Sequence, residues 1–533
     1  VDTLFVLIFL AKLKIPILSQ FKPDEIAIIS SPRASIEDNI GILSLARKIN
    51  TNNVSTAFLN NISYYESVKK RLGYLATTDS IWNLEKSDCN LVISSNITEE
   101  NNLISLPIKK ASKENSQLIV IDPREIDLTR YAKLWIKPFP GTERLVVDTI
   151  SKIIFDQNLE NKHLPNDQLD KFKKFMWNFD PVKISAITKV PKEKLYEAAE
   201  IISNSEKTTF TFGQDTVPTD KTEDYVNSIY NLAVITDNLV GEGKGLYPTF
   251  NGIGTASFYS LFTDNKQPFT TTKQIVKDIS NKKIKALIIF GDGINPDTLF
   301  DNELEKKTNN LDLIVYANHL KNSLFEKSDY ALPTKTYAEQ ESTIINIGGL
   351  IKKSPKMINP ISSSAMSIWE LCENIYEKKE IELDNIKNSF MSKISKNENT
   401  LEKPELSKNL IFNDSKVDED IDNNLYYSPG RILNRPEEIN VESDNEMNKI
   451  TSPIKLSLHP KDAKTYNLTN SSNISILDEN GRLIINTEVV IDGDVEGIIS
   501  STDYFGRMVT DLESNKNPDF SSVVPQLECK KIT

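Results

Sequence analysis

Short apolar runs that end in Gly, Ser, Asn or Asp set the strongest limit on how this chain can fold. They are "DEIAIISS" (24–31), "CNLVISSN" (89–96), "QLIVIDPR" (117–124), "KTTFTFGQD" (207–215), "IKALIIFGDG" (284–293) and "LDLIVYANH" (311–319). Each run predicts a strand that is buried on both faces. Helical segments alternate with them, and Ser35 is the predicted N-cap of the first one. The alternation predicts α/β lobes built on doubly wound parallel sheets.

Polar residues follow these predicted strands and indicate a binding site. In doubly wound folds, ligands bind beyond the carboxyl ends of the strands. An aspartate can accept hydrogen bonds from N–H groups or ribose hydroxyls, and an arginine can bind phosphate with two donors. A strand-end turn and a surface ion pair are the structural alternatives for Asp122 and Arg124. The candidate residues from these loops are Ser95, Asn96, Asp122, Arg124, Gly213 and Gly291.

The C-terminal part of the chain has a different pattern. Residues 376–424 are rich in Lys, Glu, Asn, Ser and Asp, which predicts a charged linker. Apolar and polar residues then alternate with a period of two. Asn480-Gly481 lies between two such runs and predicts a hairpin turn. We therefore expect residues 425–533 to form a small β-barrel.

Composition excludes some classes of function. The chain has 533 residues and a net charge of −12, which argues against nucleic-acid binding because phosphates need clustered Lys and Arg. Cys89, Cys372 and Cys529 are too far apart in sequence for a local zinc or iron–sulfur motif, and free thiols are typical of a reducing compartment. The apolar run at residues 4–10 is too short to span a bilayer. These features predict a cytoplasmic protein.

The motifs, taken in order, resemble the molybdopterin oxidoreductase family, which includes formate dehydrogenase alpha subunits and the large iron–sulfur subunit of respiratory complex I. The resemblance rests on "SSPRASIEDNIGILSLARKINTNNV" (30–54), "LVISSN" (91–96), "LIVIDPREIDLTRYAKLWIKPFPGTE" (118–143), "IYNLAVITDNLVGEGKGLYP" (229–248), "SDYALPTKTYAEQESTIINIGG" (328–349) and "KLSLHPKDAKTYNLTNSSNISILDENGRL" (455–483). It covers nearly the whole chain apart from the linker.

The resemblance implies how the domains are arranged. It implies two Rossmann-like lobes, one inserted in the other: residues 1–54 with 284–375, and residues 55–283. The C-terminal barrel, residues 425–533, would close over a pterin dinucleotide. The "PGTE" motif adds Gly141, Thr142 and Glu143 to the candidate cofactor-binding residues.

The sequence departs from the family at the position of the metal ligand. Catalytic members carry Cys or selenocysteine followed by His there, and the resemblance places these positions at Asn61 and Ile62. An amide is a poor ligand for such a metal, and Ile cannot transfer a proton. Leu350 replaces a family Arg. We interpret the three histidines, His163, His319 and His459, as structural or surface residues.

These departures lead to three hypotheses. The leading one is a complex I (NADH-quinone oxidoreductase) type subunit region that holds no cofactor or metal, does not catalyse at a molybdenum site, and supports electron transfer structurally beside partner subunits. Its iron–sulfur clusters would lie upstream of residue 1, and it would attach to the inner face of the membrane only through those partners. The alternative is a formate-dehydrogenase-type molybdenum or tungsten oxidoreductase with bound molybdopterin guanine dinucleotide. The third is a non-redox nucleotide-binding or scaffold protein.

Overall fold

The computed structural model describes residues 17–376 without 58, 60, 161–163, 215, 218, 295 and 301–303, and further along 400–412, 417, 426–429, 456–477, 483–491, 498–501, 526–528 and 530–531. The strands are β1 (Ile26–Ser30), β2 (Asn53–Thr56), β3 (Cys89–Ile93), β4 (Gln117–Ile121), β5 (Leu134–Ile136), β6 (Thr208–Phe212), β7 (Gly245–Pro248), β8 (Ala286–Phe290), β9 (Leu313–Asn318), β10 (Tyr330–Pro333), β11 (Ser342–Ile345), β12 (Ile351–Ser354), β13 (Tyr426–Pro429), β14 (Leu456–Leu458), β15 (Asn473–Leu477), β16 (Leu483–Val490), β17 (Ile498–Ser501), β18 (Gln526–Glu528) and β19 (Lys530–Lys531).

Helices connect the strands of the two large sheets. They are α1 (Ile36–Ile49), α2 (Ile62–Leu72), α3 (Ile97–Glu100), α4 (Asn102–Glu114), α5 (Glu143–Asp156), α6 (Asn166–Phe175), α7 (Pro181–Thr188), α8 (Lys192–Ser203), α9 (Thr222–Ile235), α10 (Ile253–Asp264), α11 (Thr272–Ser280), α12 (Pro296–Leu299), α13 (Leu304–Thr308), α14 (Ser323–Lys327), α15 (Ile368–Tyr376) and α16 (Pro460–Thr465). The strands predicted from the apolar runs are confirmed as β1, β3, β4, β6, β8 and β9.

The first sheet is parallel throughout and has the strand order β10-β9-β8-β1-β2. Both of its faces are covered. Ile28 belongs to the large core that extends into the rest of the molecule, whereas Ile29 packs with Ile275 and Ile279 of α11 on the opposite face. Burial on both faces explains why its strands are apolar at successive positions.

The second sheet is also parallel and has the order β5-β4-β3-β6-β7. In each sheet the winding direction reverses between two neighbouring strands, at β1 and β8 in the first and at β3 and β6 in the second. Such a reversal opens a crevice beyond the carboxyl ends of the strands. The fold is therefore mixed α/β with two doubly wound parallel sheets, as predicted. The predicted domain boundaries stay a proposal.

The loop that follows β1 and the first turn of α10, which follows β7, join the two sheets through close backbone contact. The Gly254 N–H donates to the Pro32 carbonyl at 2.8 Å. The Asn39 amide donates to the Gly254 carbonyl at 3.1 Å. A Cβ on Gly254 would lie 2.6 Å from the Ala34 carbonyl oxygen, so only glycine allows this approach. The joint places the carboxyl ends of both sheets side by side.

Helix α1 ties the first sheet to the hairpin β11–β12 and to α15. The predicted N-cap is confirmed, because Ser35 Oγ accepts from the Asp38 N–H at 3.0 Å. Asp38 also accepts from the Trp369 N–H at 2.9 Å. Glu37 accepts from the Thr343 N–H and hydroxyl at 2.9 and 2.7 Å. Carboxylates at this end of a helix also interact favourably with its dipole.

The C-terminal strands form a mixed sheet with the order β18-β15-β16-β14-β17-β13-β19. β15 and β16 are antiparallel, as the hairpin prediction requires, while the Asn480-Gly481 turn lies outside the described residues. Closure of this sheet into a barrel is not shown. Within the described part of the chain, no helix is both long and apolar enough to cross a membrane.

Residues 400–412, which the sequence assigns to the charged linker, run along the two lobes without helix, and we call this segment the strap. It starts beside the β11–β12 hairpin, where Leu350 and Thr400 form an isolated antiparallel bridge. It continues to α9, where Asn231 bonds both the N–H and the carbonyl of Ile411 at 2.8 Å. The remainder of the predicted linker, apart from residue 417, lies outside the described residues.

We expect Gly254→Ala to lower the free energy of unfolding by about 1–3 kcal/mol, because the added methyl group overpacks a backbone contact. Urea unfolding measures this value. Gly348→Ala is the matched control, since the nearest atom to a Cβ there is 3.4 Å away. Equal effects of the two substitutions would contradict the role of the Gly254 contact.

Candidate functional site

A cavity of about 880 Å³ lies where the loops from both sheets meet. The first sheet contributes residues that follow β1, β8, β9 and β10, and the second contributes the start of α4 and the loop after β7. Cavities of this size hold cofactors and small ligands. Representative lining residues are Arg33, Asn101, Phe250, Asp292, His319 and Gln340.

At the reversal point of the first sheet, the loops after β1 and β8 are bonded to each other. Ser31 Oγ donates to the Asp292 carbonyl at 2.6 Å. Arg33 Nη1 lies 3.5 Å from Asp292 Oδ1, and both side chains are partly exposed to the cavity. Lys335 also lines the cavity and is ion-paired with Glu370 at 2.6 Å. The cationic groups at this end of the cavity are thus balanced by carboxylates.

Buried polar atoms without a hydrogen-bond partner among the described residues face this cavity from both lobes. His319 follows β9, Thr334 and Gln340 follow β10, and Asn101 precedes α4. Each such atom costs about 1–3 kcal/mol when nothing satisfies it. We call these four residues the cavity polar set: His319 Nδ1, Thr334 Oγ1, Gln340 Oε1 and Asn101 Nδ2.

A second group of buried polar atoms lies around the carboxyl ends of β3 and β6, next to the reversal point of the second sheet. Ser94 Oγ and Gln214 Oε1 have no hydrogen-bond partner among the described residues, whereas the Glu143 carboxyl and the Thr216 hydroxyl interact with each other. They include hydroxyl, amide and carboxyl oxygens, so together they can both donate and accept. We call this group the second-sheet polar set: Ser94 Oγ, Glu143 Oε1, Gln214 Oε1 and Thr216 Oγ1.

Asp122 and Arg124 bind each other rather than facing the cavity. Arg124 Nε and Nη2 donate to the two Asp122 carboxylate oxygens, each at 2.9 Å, and the Arg124 N–H donates to Oδ1 at 2.9 Å. Arg124 is 7% exposed and Asp122 is fully buried. The Trp135 indole donates to the Asp122 carbonyl at 2.9 Å. The loop is therefore a buried, internally neutralised turn.

Glu143 is the first residue of α5 and is almost completely buried. Burial, with a smaller contribution from the neighbouring negative charge of Asp122, raises the pKa of Glu143 to about 8, although hydrogen bonds such as that with Thr216 oppose the shift. At neutral pH the carboxyl group is therefore mostly protonated and can donate a hydrogen bond. Thr216 is another polar neighbour of this carboxyl.

The structure brings most of the predicted site residues together at the carboxyl end of the second sheet. A Cβ on Gly213 would lie 2.8 Å from the Ser94 carbonyl, so Gly213 allows the loops after β3 and β6 to touch. Ser95 Oγ lies 3.1 Å from Thr249 Oγ1. Their role in cofactor binding stays a prediction, and none of the predicted residues lines the cavity itself.

The other predicted residues have local structural explanations. Gly141 has a φ of 79°, in the left-handed region, and Thr142 Oγ1 donates to the Phe139 carbonyl at 2.5 Å. Asn96 precedes α3. Gly291 belongs to the first sheet, away from the others, where a Cβ would lie 2.4 Å from the Tyr316 ring. The close approach of the Tyr316 ring thus explains why a residue without a side chain is needed at position 291.

Asn61 is the N-cap of α2. Its Oδ1 accepts from the Tyr64 N–H at 3.2 Å, and its Nδ2 donates to Thr222 Oγ1 at 3.1 Å. Tyr64 and Tyr65 follow it and are fully buried against Phe250 at ring distances of 5.9 and 5.5 Å. Within the described residues, no three His, Cys, Asp or Glu side chains form a metal-binding group.

Sequence reasoning missed several of the cavity residues. The sequence predicts a structural or surface role for His319, and the structure places this residue in the lining of the cavity. His459 does have a structural role, because its Nδ1 caps α16 by accepting from the Lys461 N–H at 3.2 Å. His163 lies outside the described residues. The position of His319 directly after a buried strand is the signal that could have identified it.

A family model for molybdopterin oxidoreductases matches residues 9–378. The chain belongs to this family. The family match covers both parallel sheets and the cavity residues that precede residue 378. The resemblance stated from the sequence is therefore confirmed at the level of the family.

Curated relatives include alpha subunits of formate and NADPH oxidoreductases. The F420-dependent formate dehydrogenase subunit alpha of Methanocaldococcus jannaschii is 28% identical over 388 residues, which is 67% of this chain and 57% of that protein. The NADPH-Fe(3+) oxidoreductase subunit alpha of Geobacter sulfurreducens is 24% identical over 392 residues, 68% of this chain and 46% of that protein. The match thus spans about half the length of each relative. Neither is a complex I subunit, so the comparisons support the formate dehydrogenase alternative over the leading hypothesis.

Among solved structures, acetylene hydratase from Pelobacter acetylenicus has a similar fold. The TM-score is 0.70 at 14% sequence identity, and the alignment covers 98% of this chain and 84% of the hydratase. At this identity the similarity concerns the fold alone.

We expect Arg124→Ala to lower the free energy of unfolding by about 3–5 kcal/mol, because it leaves the buried Asp122 carboxylate unpaired. Chemical denaturation measures the loss. Arg130→Ala is the control, since Arg130 is 74% exposed and 4.0 Å from its carboxylate partner. A loss below about 0.5 kcal/mol for Arg124→Ala, the usual range of surface substitutions, would contradict the buried pair.

We expect the stability of the ligand-free chain to fall as the pH rises from 4.5 to about 8, through the titration of Glu143. A carboxyl whose pKa is raised by folding stabilises the fold fully below its unfolded pKa and loses that contribution as it ionises. Glu143→Gln removes this loss and raises stability at pH 9 by a few kcal/mol, because a tenfold change in proton affinity corresponds to about 1.4 kcal/mol. Urea unfolding across pH measures it, with the exposed Glu193→Gln as control. Parallel pH profiles of wild type and Glu143→Gln would contradict the assignment.

Proposed function

We propose that this chain is an alpha-type subunit of a molybdopterin oxidoreductase of the formate dehydrogenase kind. In this proposal a pterin dinucleotide binds between the two lobes. The observation that carries it is the cavity polar set: four buried polar atoms without a partner among the described residues, which line one large cavity between loops of both sheets. The relatives named as formate dehydrogenase alpha subunits support the choice of substrate class.

The chemistry of the two polar sets fits the pterin dinucleotide. Such a ligand carries ring N–H groups, ring carbonyls, ribose hydroxyls and phosphates. Gln340 and Gln214 offer amide oxygens to N–H donors, and the Asn101 amide offers N–H donors to ligand oxygens. A protonated Glu143 offers a further donor. Binding would satisfy atoms that otherwise cost about 1–3 kcal/mol each.

The cations around the cavity fit the phosphates of such a ligand. Arg33, Lys69 and Lys335 all line it. Each is ion-paired, with Asp292, Asp264 and Glu370 respectively. A phosphate would compete with these carboxylates for the cations, and Arg33 has the longest of the three ion pairs, at 3.5 Å. When bound, the cofactor would supply the centre for two-electron redox chemistry.

Asn61 does not fit the role of a metal ligand. Both polar atoms of its amide are engaged, one in the cap of α2 and the other with Thr222. The buried Tyr64 and Tyr65 rings fix the start of that helix against Phe250. We therefore assign no catalytic step to Asn61, and a metal held by the cofactor would lack a ligand from this position.

The engagement of both polar atoms of the Asn61 amide favours a second candidate function, the metal-free scaffold of a redox complex. In that case the cleft would keep its shape and the chain would support partner subunits. Partner subunits are part of both proposals, because the relatives are named as alpha subunits. We also propose the nested domain boundaries and the C-terminal barrel stated from the sequence.

Cofactor analysis of the purified protein tests the proposal. We expect near-stoichiometric pterin, detected by its fluorescence after oxidative release, with molybdenum or tungsten found by elemental analysis. Gln340→Leu should lower pterin occupancy about tenfold, since Gln340 lines the cavity and the substitution removes one hydrogen bond to a buried group. Gln267→Leu is the matched control, because the Gln267 amide donates to the Thr51 carbonyl and does not line the cavity.

The outcomes separate the candidate functions. Pterin with formate-dependent reduction of a viologen dye would support the formate dehydrogenase kind. Absence of both pterin and metal would overturn it in favour of the scaffold. Guanine nucleotide without metal would favour a non-redox nucleotide-binding protein.

A further inference from the structure

The strap forms a wall of the cavity that neither parallel sheet provides. Leu401 and Glu402 line the cavity together with Tyr74 and Asn346. The Leu401 N–H donates to the Gly349 carbonyl at 3.0 Å, which fixes this end of the strap to the β11–β12 turn. A ligand that fills the cavity would therefore meet the strap as well as the sheet loops.

Lys403 holds the strap at the cavity. Its ammonium donates to the Thr78 carbonyl at 3.3 Å and to the Gly348 carbonyl at 3.4 Å, and it lies 5.8 Å from the centre of the Tyr74 ring. An ammonium group that donates to carbonyl oxygens and lies over an aromatic ring is held by charge-assisted contacts. Thr78 precedes β3, whereas Gly348 belongs to the β11–β12 turn. Lys403 thus joins two separate parts of the chain at the edge of the cavity.

Glycines on both sides make room for this part of the strap. A Cβ on Gly73 would lie 2.8 Å from Pro404 Cγ. A Cβ on Gly349 would lie within 3.8 Å of both Leu401 and Lys403. Both glycines have a φ of 81°, in the left-handed region, which residues with a side chain rarely adopt.

The far end of the strap is anchored independently of the cavity. The Tyr230 hydroxyl donates to the Ser407 carbonyl. Gln168 accepts from the Leu410 N–H at 2.9 Å, and Phe412 packs on Phe175 at a ring distance of 5.9 Å. Leu410 is buried. This anchor can persist while residues 401–404 move.

We propose that residues 401–404 act as a latch that closes the cavity after the ligand has entered, with Leu401 and Glu402 contacting the bound pterin dinucleotide. The inference rests on the proposed function for the identity of the ligand. The latch has no strand or helix of its own beyond one isolated bridge, so the Leu401 backbone hydrogen bond and a few side-chain contacts decide whether it is closed. Segments held in this way open locally at much lower free energy than the core. The far anchor keeps the open latch close to its site.

Two lysines on the strap allow a matched test. Lys403→Gln removes the charge that holds the latch. Lys408→Gln removes a charge of the far anchor, where Lys408 lies 3.4 Å from Asp237 and is well exposed. After dilution of the pterin-loaded protein into buffer, we expect Lys403→Gln to release fluorescent pterin about tenfold faster than wild type, because charge-assisted contacts are lost. Lys408→Gln should release it at the wild-type rate.

Hydrogen–deuterium exchange supplies a readout that does not depend on the ligand. We expect Lys403→Gln to speed amide exchange at residues 401–406 about tenfold, and Lys408→Gln to leave those amides unchanged. Equal release rates for wild type and Lys403→Gln would overturn the latch. If the protein contains no pterin, the proposed function fails. Amide exchange at residues 401–406 then decides alone whether Lys403 holds a latch. Equal exchange rates at these residues in Lys403→Gln and Lys408→Gln would overturn the latch.

Discussion

The backbone contact between the loop after β1 and the first turn of α10 is the constraint on which the site depends. Gly254 lies against Pro32 and Ala34, and Asn39 bonds the same glycine. Side chains cannot be inserted between the loops, so the two parallel sheets meet at a fixed distance. The cavity, its lining polar groups and the strap all lie at this meeting point. A shift of the joint would separate the four atoms of the cavity polar set. Asn101 belongs to the lobe of the second sheet, whereas His319, Thr334 and Gln340 belong to the lobe of the first sheet.

The sheets themselves could be predicted from sequence because their signal is local. β1, β4 and β8 each have an apolar side chain at nearly every position and are followed by a polar turn. β2, β5, β7 and β10 have only three or four residues, and the sequence did not single them out. All four lie at sheet edges, where strands are often short and leave little apolar pattern to recognise.

The site could be predicted only in part, for a physical reason. Asp122, Arg124 and Glu143 were found because they follow recognisable strands or motifs. Whether a carboxylate faces a ligand or its own neighbour depends on side-chain direction, and Arg124 turns back onto Asp122. His319, Gln340 and Asn101 come together from loops far apart in the chain. Their lack of partners is a property of three-dimensional packing and leaves no trace in any single stretch of sequence.

The order of strands along the chain also has a consequence for synthesis. All strands of the second sheet lie between residues 89 and 248, so that sheet is complete as soon as this continuous stretch has been made. β1 must wait for β8, its neighbour, which begins at Ala286. During synthesis, the edge of β1 that pairs with β8 therefore stays without its partner strand while more than two hundred further residues are made. The second sheet can therefore form before β1 gains β8 as its neighbour.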